Sequence, residues 1–244
     1  MEEESKNKLN NPLAIPFAII IAGLIIAASI IYAFSGASIN NQGELNPSPS
    51  QTQAFQPDPS KADPISEKDH ILGNPSASIK IIEYSDTECP YCKVFHQTMR
   101  QLVSLYPDKI AWVFRHFPLT NIHPKAFKEA IATECVTQQG GNDAFWKYLD
   151  KIFEITPSNN KLDPSQLTII AKNIGMDETK FKECLSSSRY DDLINSQSQN
   201  AQEAGAQGTP YSVFISPKGV IQVIDGAYPL SELKQFVESA LNEK

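Results

Sequence analysis

The chain has 244 residues, a formal net charge of -7 and a pI near 5.2, and 41% of its residues are hydrophobic. This length is enough for one or two domains with a sizeable buried core. The acidic balance gives no support to nucleic-acid binding, which requires a basic face. The four cysteines comprise one close pair, Cys89 and Cys92, and two distant residues, Cys135 and Cys184.

An apolar segment near the N-terminus is long enough to span a membrane. Ile15 to Phe34 contains no charged side chain, and about 20 apolar residues cross the hydrocarbon core of a bilayer. We therefore predict one transmembrane helix at residues 13–34. A cleaved signal peptide is the alternative, because small residues follow at 35–38, but the apolar core of such a peptide is normally only about 7 to 15 residues long.

The lysines around this segment predict its orientation. Residues 1–12 form a polar tail with Lys6 and Lys8, whereas no Lys or Arg follows the apolar segment before Lys61. Because positively charged residues favour the cytoplasmic side, we predict a single-pass protein of the cell membrane with a cytoplasmic N-terminus. The remainder would lie on the extracytoplasmic side, periplasmic or at the cell surface, where disulfides persist.

Residues 35–68 are predicted to form a disordered linker. They are rich in Asn, Gln, Ser and Pro, and only Ile39, Leu45, Phe55 and Ile65 offer a large apolar side chain. Such a segment has almost nothing to bury in a core. We therefore place the folded domain at residues 69–244.

The folded domain is predicted to begin with a strand, a helix and a second strand. Ala77–Asp86 and Ile110–Phe117 have the apolar patterns of strands, and Lys93–Tyr106 has apolar residues at helical spacing. The strand–helix–strand order favours a parallel pair of strands. The turn before the first strand is predicted at Gly73, Asn74 and Pro75.

Helical patterns fill most of the chain from there to residue 206. The predicted helical segments are Pro124–Gln139, Phe145–Ile152, Asp163–Gly175, Asp177–Ser187 and Tyr190–Gly205. Gly140 and Gly141 are predicted to end the first of them. Together these segments make an inserted helical domain at about 122–206.

The last part of the chain returns to strands. Thr209 and Pro210 precede a strand at 211–215, and a turn at 217–219 joins it to a second strand at 220–224. Apolar residues at helical spacing predict a final helix that includes residues 233–241.

The motif Cys89-Pro90-Tyr91-Cys92 lies at the turn between the first strand and its helix. Two thiols at this spacing can close a small, reversible disulfide, and Pro90 suits the first position of a helix. Cys89 would then meet the unpaired N–H groups and the positive end of the helix dipole, which lower the pKa of a thiol. The charge of Glu88 should raise this pKa, and that of Lys93 should lower it.

The order of these features resembles the thioredoxin superfamily, and within it the membrane-anchored DsbA-like proteins with an inserted helical domain. The resemblance covers about Ile71 to Leu241 and implies an α/β, thioredoxin-like fold. It depends on several short motifs that follow the family's order, namely Gly73-Asn74-Pro75 with Ile79–Asp86, Cys89–Cys92, Phe114–Pro118, Phe145-Trp146 and Thr209-Pro210.

The resemblance implies a role for each part of the redox site. Cys89 is expected to be the exposed nucleophile and Cys92 its buried partner. Thr209 and Pro210 match the family's cis-proline loop, which lies against the active-site disulfide and pairs with the substrate backbone. Pro90 and Tyr91 are expected to contact substrate as well.

Three further residues have roles that the resemblance suggests. Glu83 matches the family's buried acid, which would exchange a proton with Cys92; the alternative is a surface carboxylate at a strand edge. Cys135 and Cys184 are expected to bond to each other within the insert, as in similar family members. Two buried free thiols are the alternative.

A metal site is a competing interpretation of the same motif. Cys89, Cys92 and His96 offer two thiolates and an imidazole at a spacing that suits zinc, but no second motif supplies the remaining ligand. We therefore predict no metal and no cofactor. His116 and His123 are given no catalytic role.

The resemblance implies an extracytoplasmic thiol:disulfide oxidoreductase. We expect a DsbA-like oxidase that forms disulfides in reduced exported proteins and is reoxidised by a membrane partner resembling DsbB. A disulfide isomerase or reductase of the DsbG-like type is the alternative, but those proteins carry a separate dimerisation domain, and we expect a monomer here. A non-catalytic tethered binding module is a further alternative, against which the presence of both motif cysteines argues.

Overall fold

The structure is a computed structural model that describes residues 58–243. The predicted cytoplasmic tail at 1–12 and transmembrane helix at 13–34 lie outside the described residues. Within residues 58–243, no helix is long and apolar enough to cross a membrane.

A central sheet organises the described part of the chain. Within residues 58–243 five strands lie in the order β1-β3-β2-β4-β5. They are β1 (His70–Gly73), β2 (Ile79–Ser85), β3 (Ile110–His116), β4 (Tyr211–Ile215) and β5 (Ile221–Asp225). The strands β2 and β3 are parallel, as the strand–helix–strand pattern predicted, and the other neighbouring pairs are antiparallel.

Helices cover both faces of this sheet. They are α1 (Pro90–Leu105), α2 (Ala126–Ile155), α3 (Ser165–Asn173), α4 (Glu178–Ser186), α5 (Asp191–Glu203) and α6 (Leu230–Leu241), preceded by a short 3-10 helix at Pro59–Lys61. Helices α1 and α6 share a core with Ile79 and Ile81 of β2, and α5 packs on the side of Ile82 and Tyr84. The predicted α/β fold with a helical insert is confirmed.

Helix α2 joins the sheet to the helical insert by burying two faces. Phe145 and Leu149 belong to the core between the sheet and α1, whereas Tyr148 and Ile152 belong to the core of the insert. Residues three and four apart lie on one side of a helix, so neighbouring stripes of apolar residues face the two cores. The position of the insert relative to the redox motif is therefore set by packing along α2.

The prediction that a helix ends at Gly140 and Gly141 is confirmed. The stretch labelled α2, Ala126 to Ile155, consists of two helices that meet at a kink, where Gly141 departs from helical geometry with φ 65° and ψ -160°. Glycine adopts this conformation without a steric penalty. The apolar residues on both sides of Gly141 pack into continuous cores, so the chain kinks here and the helix resumes.

Strand β1 is an element that the sequence patterns missed. It has four residues, too few to show a clear alternation, and Leu72 pairs with Trp112 of β3. The predicted turn follows it at Gly73, which has φ +92° and where an added Cβ would lie 2.3 Å from the carbonyl oxygen of Ile110. Only glycine fits this close approach.

Residues 58–68 belong to the folded body, so the predicted disordered linker at 35–68 is wrong for this part. The buried guanidinium of Arg115 donates to the carbonyl oxygens of Asp63, at 3.0 Å, and Pro64, at 3.2 Å, and pairs with Asp69 at 2.8 Å. A buried cation requires such acceptors. The order of this segment comes from polar contacts, which its scarcity of apolar residues does not reveal.

Cys135 of α2 and Cys184 of α4 are joined by a disulfide, with an S–S distance of 1.97 Å and a sequence separation of 49 residues. Both cysteines lie in the core of the insert, where Phe181 is fully buried beside them. The bond therefore ties α4 covalently to the helix that connects the insert to the sheet.

Removing this disulfide should destabilise the protein. In the chain-entropy model, opening a loop of about 50 residues costs about 3 to 4 kcal/mol. We expect that loss in the free energy of unfolding of Cys135→Ala/Cys184→Ala, measured by urea denaturation. Cys89→Ala/Cys92→Ala, compared with the wild type under conditions that keep Cys89 and Cys92 reduced, controls for the loss of buried thiols alone. Equal stability of the two double variants would contradict the prediction.

Candidate redox site

The two motif cysteines lie at the first turn of α1. Cys89 is the residue that precedes the helix, Pro90 is in its first turn, and both cysteines are present as thiols in the structure. Cys92 is fully buried, Cys89 is 4% exposed and Tyr91 is 67% exposed. The expectation that Cys89 is exposed is therefore wrong, because neighbouring groups such as the Thr209 carbonyl oxygen, 3.3 Å from its sulfur, pack against it. Cys89 is nevertheless the less buried of the two cysteines.

The loop before β4 faces this sulfur. The peptide bond between Thr209 and Pro210 is cis, and the Cys89 thiol donates to the Thr209 carbonyl oxygen at 3.3 Å. Strand β4 lies antiparallel to β2, with Tyr211 opposite Tyr84. This pairing brings the Thr209–Pro210 loop to the end of β2 that leads into the motif.

The two thiols have opposite protonation tendencies. A hydrogen bond from the Cys92 thiol is the main reason that the pKa of Cys89 is lowered to about 6, and the Thr209 side chain contributes, while burial opposes the shift. Burial raises the pKa of Cys92 well above its ordinary value. At neutral pH Cys89 is therefore mainly a thiolate. Cys92 remains a thiol and donates a hydrogen bond to that thiolate.

Glu83 is a buried acid beneath this pair. Its side chain is fully buried, Oε2 accepts a hydrogen bond from Trp112 Nε1 at 2.8 Å, and Oε1 receives none within the described residues. Burial raises the pKa of Glu83 to about 7, and its charge adds to the effect of burial in raising the pKa of Cys92. The structure excludes the alternative of a surface carboxylate.

The two charged neighbours of the motif make contacts that the sequence did not predict. Lys93 Nζ turns away to the carbonyl oxygens of Thr156, at 2.6 Å, and Glu154, at 3.3 Å, at the end of α2. Glu88 is fully buried, and its Oε2 accepts from the Asn160 N–H at 2.6 Å. The pKa of Cys89 is therefore set chiefly by Cys92, with Thr209 as the next hydrogen-bonding contributor.

His96 does not complete a metal site with the two cysteines. Its Nε2 lies 2.7 Å from Asp150 Oδ1, and burial lowers the pKa of His96. Residues 58–243 contain no cluster of three or more His, Cys, Asp or Glu side chains that could hold a metal ion.

The other histidines hold buried carboxylates. His116 and His70 each place Nε2 2.8 Å from Glu134 Oε1. Although burial opposes it, these contacts lower the pKa of Glu134 to about 2. His123 Nδ1 lies 2.9 Å from Asp86 Oδ2, three residues before Cys89.

Two parts of the site were missed by the sequence patterns. Trp112 lies in the predicted strand Ile110–Phe117, and the structure shows that it supplies the donor to Glu83. Its position opposite Ile81 in the parallel pair β2–β3 is the signal that would have placed it near Glu83, two residues further along the same face of β2. Glu129 of α2, which contacts Thr87, had no signal in the sequence.

Comparisons with known proteins agree with this fold. Residues 65–239 match the family model described as Thioredoxin. DsbA2 of Pseudomonas aeruginosa is 26% identical in sequence, with a TM-score of 0.60 over 72% of this chain and 96% of that chain. BdbD of Bacillus subtilis, in its oxidised form, shares the fold, with 23% identity and a TM-score of 0.63 over 72% of this chain and 94% of that chain.

A curated relative contains a similar domain as part of a longer protein. The Na(+)/H(+) antiporter NhaA 3 of Salinispora tropica is 33% identical over 174 residues, which are 71% of this chain and 25% of that protein. The chain thus spans about a quarter of the length of the curated relatives first matched.

The chain belongs to the thioredoxin family, and its structural neighbours are thiol-disulfide oxidoreductases of the DsbA type.

Replacing Glu83 should change how stability depends on pH. Its pKa is about 7 in the folded protein against an ordinary value of 4.5, so the folded state holds the proton more tightly than the unfolded state. Glu83 should therefore contribute a fall of about 3 kcal/mol in the free energy of unfolding as pH rises from 4.5 to 7, and nothing further above that. In urea denaturation at a series of pH values, the decline of Glu83→Gln should be smaller than that of the wild type by this amount.

The exposed residue Glu67 offers a matched control, because Glu67→Gln should keep the wild-type slope. A Glu83→Gln protein whose stability declines as steeply as that of the wild type would show that Glu83 is not the buried acid described above.

Thr209 should help to stabilise the Cys89 thiolate. Thr209→Val keeps the shape of the side chain and removes its hydroxyl group, so the pKa of Cys89 should rise by roughly one unit. The pH dependence of Cys89 alkylation by iodoacetamide measures this pKa. Thr168→Val, in α3, should leave it unchanged; an equal effect of the two substitutions would refute the role of Thr209.

Proposed function

We propose that this protein is a thiol:disulfide oxidoreductase that acts as an oxidase and passes a disulfide from Cys89 and Cys92 to reduced proteins. The low pKa of Cys89, about 6, carries the proposal. A stable thiolate favours the reduced enzyme, so the disulfide is more oxidising than one whose cysteines have ordinary pKa values.

The proposed reaction begins with the oxidised pair. A substrate thiolate attacks Cys89 Sγ, the Cys89–Cys92 bond breaks, and Cys92 leaves and is protonated with the help of Glu83. A second substrate thiolate then attacks the substrate sulfur of the mixed disulfide and Cys89 leaves as a stable thiolate. The substrate loses two electrons and gains a disulfide, and the enzyme disulfide becomes a thiol and a thiolate.

The surface around Cys89 supports a polypeptide substrate. Tyr91 is 67% exposed and Pro90 is half-buried beside the sulfur. Thr209 and Pro210 lie against the same sulfur at the end of a strand, where the chain can offer backbone groups to an extended peptide. We assign Pro90, Tyr91, Thr209 and Pro210 to substrate contact.

The location and partners of the enzyme are part of the proposal. The uncharged segment at 13–34 is preceded by Lys6 and Lys8, and no Lys or Arg follows it before Lys61. This pattern supports a membrane anchor with the redox domain on the extracytoplasmic side. Exported proteins with reduced cysteines would then be the substrates. Each turnover leaves Cys89 and Cys92 reduced, so a membrane partner resembling DsbB would reoxidise them.

Oxidative refolding of a reduced, unfolded protein with several disulfides, such as ribonuclease A, tests this function. The oxidised wild-type protein should restore ribonuclease activity, and Cys89→Ser should abolish this effect because it removes the sulfur that substrate attacks. With scrambled ribonuclease A, whose disulfides the Cys89 thiolate can attack, Cys92→Ser should accumulate mixed disulfides with substrate, which non-reducing electrophoresis detects. Undiminished refolding with Cys89→Ser would mean that the activity lies elsewhere.

Scrambled ribonuclease A separates the oxidase from an isomerase in the same assay. We expect the oxidised protein to act on reduced substrate much faster than the reduced protein acts on scrambled substrate. The reverse order would replace the oxidase with an isomerase while leaving the redox site in place.

A further inference from the structure

A group of buried carboxyl side chains beside Cys89 has no part in the reaction described above. Asp86 and Glu88 lie in the segment between β2 and α1, and Glu129 lies in the first turn of α2. Their exposed fractions are 1%, 0% and 2%. A buried carboxyl group must either accept hydrogen bonds as an anion or keep a proton, so the donors around each group indicate which form it takes.

Asp86 is well supplied with donors. Its Oδ1 accepts from the Glu88 N–H at 2.7 Å, and its Oδ2 accepts from the Leu119 N–H at 2.8 Å and lies 2.9 Å from His123 Nδ1. Burial raises the pKa of Asp86 above its ordinary value, and these contacts offset part of the increase. Asp86 therefore has the partners that an anion needs.

Glu88 and Glu129 have fewer donors and face each other. Glu88 Oε2 accepts from the Asn160 N–H at 2.6 Å, and Glu129 Oε2 accepts from the Thr87 hydroxyl at 2.7 Å. Glu88 Oε1 is buried and receives no hydrogen bond from an N–H or hydroxyl group of residues 58–243. The contact with Thr87 brings the Glu129 carboxyl group next to the residue that precedes Glu88. Burial raises the pKa of Glu129, and a hydrogen bond with the Glu88 carboxyl group raises it further; such a bond requires that one of the two groups carry a proton.

The pair also holds a loop of unusual backbone geometry. Ser158, Asn159 and Asn160 are consecutive residues with φ of 63°, 54° and 64°, a left-handed conformation that residues other than glycine seldom adopt. The Glu88 carbonyl oxygen accepts from the Asn159 N–H at 2.8 Å, and the Glu88 side chain accepts from Asn160. Glu88 therefore fixes this loop through both its backbone and its side chain.

The elements packed around the pair supply few positive charges that could compensate for its negative charge. Lys125 directs Nζ to the Leu162 carbonyl oxygen, Lys93 to the end of α2, and His123 to Asp86. Tyr148 of α2 is sensitive to the charge of Glu129, which adds to burial in raising the pKa of Tyr148. A second negative charge at the pair would thus be added to a site that already holds Asp86, Glu88 and the Cys89 thiolate.

We propose that Glu88 and Glu129 share one proton at neutral pH, and that this proton sets the oxidising strength of the pair formed by Cys89 and Cys92. Loss of the proton in mildly alkaline solution places a second carboxylate charge next to the segment that carries Cys89. Like charges repel, so the Cys89 thiolate becomes less stable and the disulfide becomes a weaker oxidant. Glu129 is a positioning residue in this account, because it acts on Cys89 through Glu88.

The pKa of Glu129 agrees with this geometry. Burial and the hydrogen bond with Glu88 raise it to about 8, whereas the Thr87 hydroxyl lowers it. The effect on Cys89 should therefore appear between about pH 7 and pH 9. It lies above the titration of Cys89 itself, whose pKa is about 6, so the two can be separated.

The inference depends on the proposed function of Cys89 and Cys92, and redox equilibrium with glutathione tests both. Glu129→Gln has a neutral side chain that can still donate a hydrogen bond to Glu88, so it imitates the protonated acid at every pH. The equilibrium constants of the wild type and Glu129→Gln should agree below pH 7. Between pH 7 and pH 9 the wild type should become a weaker oxidant than Glu129→Gln by severalfold.

An exposed acid in the first turn of another helix provides the control. Glu232 of α6 occupies such a position, and Glu232→Gln should follow the wild type at every pH. Parallel curves for the wild type and Glu129→Gln would overturn the shared proton and leave the proposed function intact. A pair of cysteines that does not equilibrate with glutathione would overturn the proposed function and this inference with it.

Protein stability supplies a second readout that does not depend on redox chemistry. The folded pKa of Glu129 is raised from 4.5 to about 8, so the free energy of unfolding of the wild type, relative to Glu129→Gln, should fall as pH rises from 4.5 to 8 and then stay constant. A difference that does not vary with pH would show that Glu129 carries no proton in the folded protein.

Discussion

The stability of one thiolate is the constraint on which this site depends. Cys89 sits at the N-terminus of α1, receives a hydrogen bond from the thiol of Cys92, and faces Thr209 of the cis-proline loop. The contacts come from two parts of the fold. The first turn of α1 provides N–H groups and Cys92, and the loop directly before β4 provides Thr209. The parallel and antiparallel pairings of β2 bring these parts together. The strand pairings that define the sheet therefore also position the groups that stabilise the thiolate.

The buried acids around the motif differ in their donors, and the donors decide what each acid does. Asp86 has three hydrogen-bonding neighbours and fixes the segment before Cys89. Glu83 has the Trp112 N–H on one oxygen only, and its pKa near neutrality suits proton exchange with Cys92. Glu88 and Glu129 have each other. Similar carboxyl groups at one end of a sheet thus include an anchor and, in our proposals, a proton carrier and a means of adjusting the thiolate.

Local patterns in the sequence predicted most of the fold and the centre of the site. The apolar alternation of β2 and β3, the helical spacing after the motif and the turn before β5 are all short-range signals, and Cys89 and Cys92 are only three positions apart. The misses have a common cause in long-range contacts between polar groups. Arg115 orders residues 58–68 from a distant strand, and Glu129 reaches the motif from α2. Neither contact leaves a periodic pattern, because a single pair of side chains has no period.

The reduction potential of the disulfide between Cys89 and Cys92 tests the central claim most directly, because it measures how much the protein stabilises its reduced form. The claim that a stabilised Cys89 thiolate makes an oxidase predicts a potential near the roughly -120 mV of DsbA, as determined by equilibration with glutathione at pH 7. A potential near the roughly -270 mV of thioredoxin would contradict it and indicate a reductase.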